Sequence, residues 1–61
     1  MILATKNGWL ISVRIVTEID DSVVVTILDT YEDYTVHNND PDMKLFSNVK
    51  AAESWITEEN K

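Results

Sequence analysis

Carboxylates are the residues of this chain that could do chemistry. Asp20-Asp21 and Glu32-Asp33 are adjacent acid pairs, and Asn38, Asn39, Asp40 and Asp42 crowd oxygen donors into one short run. A carboxylate pair can divide the work of general acid and general base when a pocket separates the two environments. Both pairs fall where turns are expected, on a chain too short to enclose a substrate. The oxygen run has the hardness that calcium requires, yet it lacks the ligands alternating around a glycine and the closing bidentate glutamate of a calcium loop. His37 is the single histidine and cysteine is absent, so no zinc site can be assembled. Gly8 is the single glycine, which rules out a glycine-rich phosphate loop, and no serine stands in a nucleophile elbow. The expectation is no catalytic residue, no metal site and no cofactor: a binding protein rather than an enzyme.

The distribution of charge narrows the binding class. Eleven acids against five bases give a formal charge of −6 on 61 residues. Glu18, Asp20, Asp21, Asp29, Glu32, Asp33, Asp40 and Asp42 lie in a stretch without lysine or arginine, so residues 18–42 carry −8 and the remainder +2. That balance disfavours nucleic acid and anionic membrane as direct partners. Trp9, Tyr31 and Tyr34 offer aromatic surface, but all three are expected at the core or its edge. A protein with a basic surface is the expected partner. No segment approaches the roughly 20 apolar residues of a membrane span, and Ile2-Leu3-Ala4 lacks the basic leader and length of a secretory signal. A soluble protein of the cytoplasm is expected, of the host cytoplasm if the chain is viral.

Four strands and a helix must position these acids. Asn7-Gly8 favours a tight hairpin turn and sets Ala4 opposite Ile11 and Ile2 opposite Val13. From Trp9 to Ile19 the alternation is that of a strand, with Trp9, Ile11, Val13, Ile15 and Ile19 in one phase. The next turn, at Asp20-Asp21-Ser22, aligns apolar residues best with a three-residue loop, which places Ile19 opposite Val23. The β-branched run after it suits a central strand, and Tyr31-Glu32-Asp33-Tyr34 reads as another turn with the tyrosines side by side. Residues 38–43 form a loop by composition. Ser47 is the expected N-cap of a helix over about 48–58, whose stripe of Val49, Ala52, Trp55 and Ile56 should close over Trp9, Ile11, Ile15 and Ile27. Phe46 is placed as a hydrophobic staple, and Glu58 and Glu59 oppose the helix dipole.

The expected fold is therefore α+β: one domain over 1–61, an antiparallel four-stranded meander (about 2–6, 9–19, 23–31 and 34–37) with a C-terminal helix on one face. The opposite face would carry Leu3, Leu10, Val16, Val24 and Leu28, more apolar surface than a solvated face needs. Asp29 falls in the core phase and should escape by a bulge or by lying at the sheet's end.

Two binding modes follow. In the first, Glu18, Asp20, Asp21, Glu32, Asp33, Asp40 and Asp42 present regularly spaced charge to the basic groove of a nucleic-acid-handling protein, which the chain inhibits or regulates. Small acidic proteins that mimic DNA, many made by viruses against host defence enzymes, are similar in kind. In the second, the chain is a structural or accessory subunit, a homodimer for instance, that docks through Leu10, Val16, Val24 and Leu28.

Overall fold

The computed structural model describes all residues from Met1 to Lys61. Five strands precede one helix: β1 (Ile2–Thr5), β2 (Leu10–Ile19), β3 (Ser22–Ile27), β4 (Glu32–His37), β5 (Met43–Phe46) and α1 (Val49–Glu59). The sheet is antiparallel throughout, in the order β4-β3-β2-β1-β5. The meander of β1 to β4 is as expected. The expected four strands become five because Met43-Lys44-Leu45-Phe46 pairs with β1, setting Thr5 opposite Met43 and Ile2 opposite Phe46. Four residues give too short an alternation to announce a strand, and the partner lies about forty positions earlier in the chain.

Turn geometry decides which side chains are inside. The first hairpin closes with Gly8 N–H donating to the Thr5 carbonyl and Thr5 N–H donating to that of Trp9. The loop is therefore the three residues Lys6, Asn7 and Gly8, with Gly8 at φ +102° supplying the left-handed position. Ala4 consequently faces Leu10 rather than Ile11, and Leu3 faces Ile11. A one-residue slip exchanges the two faces of a strand. Leu3, expected on the outer face, is buried in the core, whereas Ile2 and Ala4 occupy the other face.

The second turn has two residues, Asp20 and Asp21, with Asp20 at φ +47° and Ile19 facing Ser22 instead of Val23. A bulge at Val16 then shifts the register, so that Ile15 faces Val25 and Val13 faces Ile27. The extra residue also separates Ile19 from the phase of Ile11, Val13 and Ile15, and Ile19 is exposed. The third turn is Leu28–Tyr31, closed by Tyr31 N–H donating to the Ile27 carbonyl at 2.7 Å. Glu32 and Asp33 thus lie in β4, opposite Ile27 and Thr26, and not in a turn. Asp29 sits exposed in the turn, clear of the core.

Leu3, Val13, Val23, Val25 and Val36 form the core cluster, with Met43 and Leu45 packed against it. Residues of both edge strands, β4 and β5, meet on this cluster, so the sheet curls into a partly open barrel. Its seam between the edges is a cleft of about 370 Å³ lined by Val23, Val36, Met43 and Leu45, with Glu18, His37, Asn38 and Lys44 at its polar positions.

The helix packs on β1 and β5, not over Trp9, Ile11, Ile15 and Ile27 as expected. Ala4 and Ala52 are wholly buried, and the Phe46 and Trp55 rings pack with centroids 5.6 Å apart. Curling lets the sheet fill its own concave side, so the helix covers part of the convex one. Asn48 rather than Ser47 is the N-cap, its Oδ1 accepting from Ala51 N–H at 2.8 Å. At the other end the Asn60 amide donates to the Ile56 carbonyl at 2.8 Å and to the Lys6 carbonyl at 3.2 Å. The final turn is thereby tied to the first hairpin. No helix is long and apolar enough to cross a membrane.

Candidate protein-interaction surface

Folding divides the acidic stretch into three groups. Glu18, Asp20 and Asp21 cluster at the β2–β3 turn, and Asp29, Glu32 and Asp33 surround the β3–β4 turn. The five steps of β3 between them span about 17 Å. Asp40 and Asp42 belong to the β4–β5 loop, which is fixed by the Asp42 N–H on Asp40 Oδ1 at 2.9 Å and by the Asp42 carbonyl accepting from Lys6 N–H at 2.7 Å. Asp40 is half-buried and shapes that loop, while Glu18, Asp20, Asp21, Glu32, Asp33 and Asp42 are exposed.

Most of this charge is uncompensated. Of the eleven acidic side chains only Glu58 is ion-paired, with Lys61 at 3.1 Å. Asp33 is the one acid of the stretch engaged with a buried side chain, its Oδ1 accepting from the Thr26 hydroxyl at 2.7 Å. Thr26 is only 7% exposed and stands between Arg14 and Asp33 across three strands. No three His, Asp or Glu side chains converge on one point. Ser22 and His37 face each other across β3 and β4 and share a hydrogen bond of 3.0 Å between Oγ and Nδ1. The contact is a direct cross-strand pair, and Nε2 has no hydrogen-bond partner.

The expected apolar docking face is exposed but discontinuous. Leu10, Val16 and Leu28 are 39%, 53% and 42% exposed, and Val24 is half-buried. The polar row Arg14, Thr26 and Asp33 lies between Leu28 and Val24. Leu10 and Leu28 do belong together: Leu28 N–H donates to the Ser12 carbonyl, so Leu10 is its diagonal neighbour at about 7–8 Å.

Two side chains missed by the sequence reasoning lie at the same end of the sheet. Trp9 and Tyr31, expected at the core or its edge, are 67% and 80% exposed, the highest values among the large apolar side chains, and Tyr34 is 42% exposed. Trp9 follows Gly8 directly and has only its backbone engaged, with Thr5. Tyr31 ends the third turn at φ +59°. The signal for Trp9 was its contact with a turn glycine; the sequence offered none for Tyr31, because its turn was placed three residues too late. The chain matches no protein-family model, no curated protein and no solved structure.

Proposed function

We propose that this protein is a non-catalytic binding module that occupies the basic surface of a nucleic-acid-handling protein and so inhibits or regulates it. The observation that carries this reading is the uncompensated charge: a 61-residue chain of net −6 with one ion pair among its acidic side chains. Glu18, Asp20 and Asp21 at one end of β3 and Asp29 and Glu32 at the other stand on turns and strand ends anchored by the sheet. Carboxylates held this way can replace phosphates in a basic groove, since complementary charge governs encounter and specificity. Docking of a homo-oligomer through Leu10, Val16, Val24 and Leu28 is the less favoured reading, because the Arg14–Thr26–Asp33 row interrupts that face.

The test is displacement of purified DNA- and RNA-binding proteins from a fluorescent duplex by the added chain. Displacement of at least one should weaken steeply as salt rises from about 0.05 to 0.3 M, because exposed charges act through a screened field. It should also be lost on combined reversal of Asp29 and Glu32 to lysine, exposed acids at the β3–β4 end of the sheet. Displacement indifferent to salt, or none across the panel, would refute the reading.

A further inference from the structure

The Trp9–Tyr31 end carries an oddity that core packing does not explain. Tyr31 lies in the left-handed region, φ +59°, and its side chain is 80% exposed. For a bulky side chain this backbone conformation is a steric cost. Asparagine or glycine would occupy the position more easily, so tyrosine reduces local stability here while burying little of its ring. Strain of this kind, held by a surrounding structure that overdetermines it, concentrates at functional positions. Trp9, 67% exposed after Gly8, lies at the same end of the sheet, as do the exposed Leu10 and Leu28. Tryptophan and tyrosine are the side chains most often found as energetic anchors in interfaces.

We infer that this end is the docking face, and that its occupant is a protein segment presenting an apolar side chain flanked by lysine or arginine. The inference rests on the basic-partner reading above and names the surface that reading left open. Charge complementarity identifies the occupant. Asp29, Glu32 and Asp33 border the turn that holds Tyr31, with Arg14 the base on the adjoining row, while Lys6 lines a separate surface depression with Asp40, Lys44 and Glu59. A second copy of the chain would bring two sets of these carboxylates together, which opposes self-association here. In this arrangement the acids steer and orient a cationic segment, and the two aromatic rings supply the contact that desolvates.

The test uses the intact protein and three synthetic peptides: one with phenylalanine and leucine flanked by arginine and lysine, one with those apolar residues replaced by serine, and one with the bases replaced by glutamate. Binding is followed by titration with backbone amide NMR and by calorimetry. The first peptide should bind and should shift the amides of residues 9–10 and 28–32. Trp9→Ser and Tyr31→Asn should each weaken it about tenfold or more, as loss of an anchor does. Tyr31→Asn should at the same time raise the melting temperature by about 4–8 °C, the equivalent of relieving about one unit of backbone strain in a chain this size. A merely structural tyrosine would not give opposite signs in the two readouts. If the serine peptide binds equally and both variants are indifferent, this inference is overturned while the basic-partner reading stands. If the glutamate peptide binds as well as the first, the basic-partner reading fails. Failure of all three peptides, or a concentration-dependent dimer abolished by Trp9→Ser, overturns the docking face as drawn.

Discussion

The Thr26–Asp33 hydrogen bond offers a sharp quantitative test of how this small sheet is held. Thr26 lies on the central strand β3 at 7% exposure, and its hydroxyl donates to Asp33 Oδ1 at 2.7 Å. Replacing Asp33 by alanine leaves that hydroxyl without its acceptor in a site nearly closed to water. Stranding a buried polar group costs about 1–3 kcal/mol. Two terms offset it in part: alanine removes one negative charge from a chain of −6, and exposed carboxylates contribute little by themselves. A net loss of about 1–2 kcal/mol is expected for Asp33→Ala. Total stability for a domain of this length is about 3–9 kcal/mol, so the melting temperature should fall by about 5–15 °C. Asp33→Asn keeps the acceptor and should stay close to the parent. Thr26→Val removes the donor and keeps the shape, and in that background Asp33→Ala should cost little. Urea unfolding followed by tryptophan fluorescence gives the four stabilities of the cycle. A coupling of about 1 kcal/mol or more is expected; one below about 0.3 kcal/mol, the scatter of independent sites, would refute the assignment of the bond as the reason Asp33 is in β4.

Other expectations are independent of that bond. Val25→Ala, at the wholly buried centre of the core cluster, should cost about 2–3 kcal/mol from lost burial plus cavity, read by urea midpoint with an unchanged slope. Gly8→Ala should cost about 1 kcal/mol through the backbone alone, because the added Cβ meets nothing within 4 Å while φ is +102°; Gly8→Asn should cost less. Asn60→Ala removes two side-chain bonds, to Ile56 and to Lys6, and should speed amide exchange in the last helical turn and in residues 6–9 together. Added sodium chloride at neutral pH should raise the melting temperature, because one ion pair leaves the acids repelling across a small surface; a fall would contradict net repulsion.

Element types were legible in the sequence where a pattern was long. The β2 alternation, the β-branched β3 and the stripe of α1 all announced themselves. Register was not legible, because it hangs on single turn residues. Asn7-Gly8 can close a two-residue or a three-residue loop, and Gly8 alone at the left-handed position selected the second, which carried Leu3 inward. The Val16 bulge had no signal either, since Ile15, Val16 and Thr17 suit a regular strand equally well. With that bulge no uniform register, the expected three-residue loop included, holds along the whole pair. At the candidate surface, the acids were legible from composition, but the exposure of Trp9 and Tyr31 depended on where two turns closed. Trp9 shares the phase of Ile11 and Val13 but stands before the first residue of β2, and Tyr31 ends a turn that closes three residues earlier than expected.

Folding also changes what a partner can meet. In sequence the acids of residues 18–42 form one run; in the structure β3 holds the Asp20-Asp21 group about 17 Å from the Asp29-Glu32 group. The Debye length at physiological ionic strength is about 8 Å, so the two groups act as separate electrostatic sites. A partner could engage the linear run only by unfolding β3, whose Val23 and Val25 belong to the core. Any partner that uses both groups must therefore span the sheet, and reversals of charge at the two ends should then weaken it additively. A partner docked on the Trp9–Tyr31 end alone should respond to Glu32→Lys and Asp29→Lys and ignore Asp20→Lys. The ratio of those two effects measures how far the footprint extends along β3, and it separates a compact anchored contact from the extended surface of a nucleic-acid mimic.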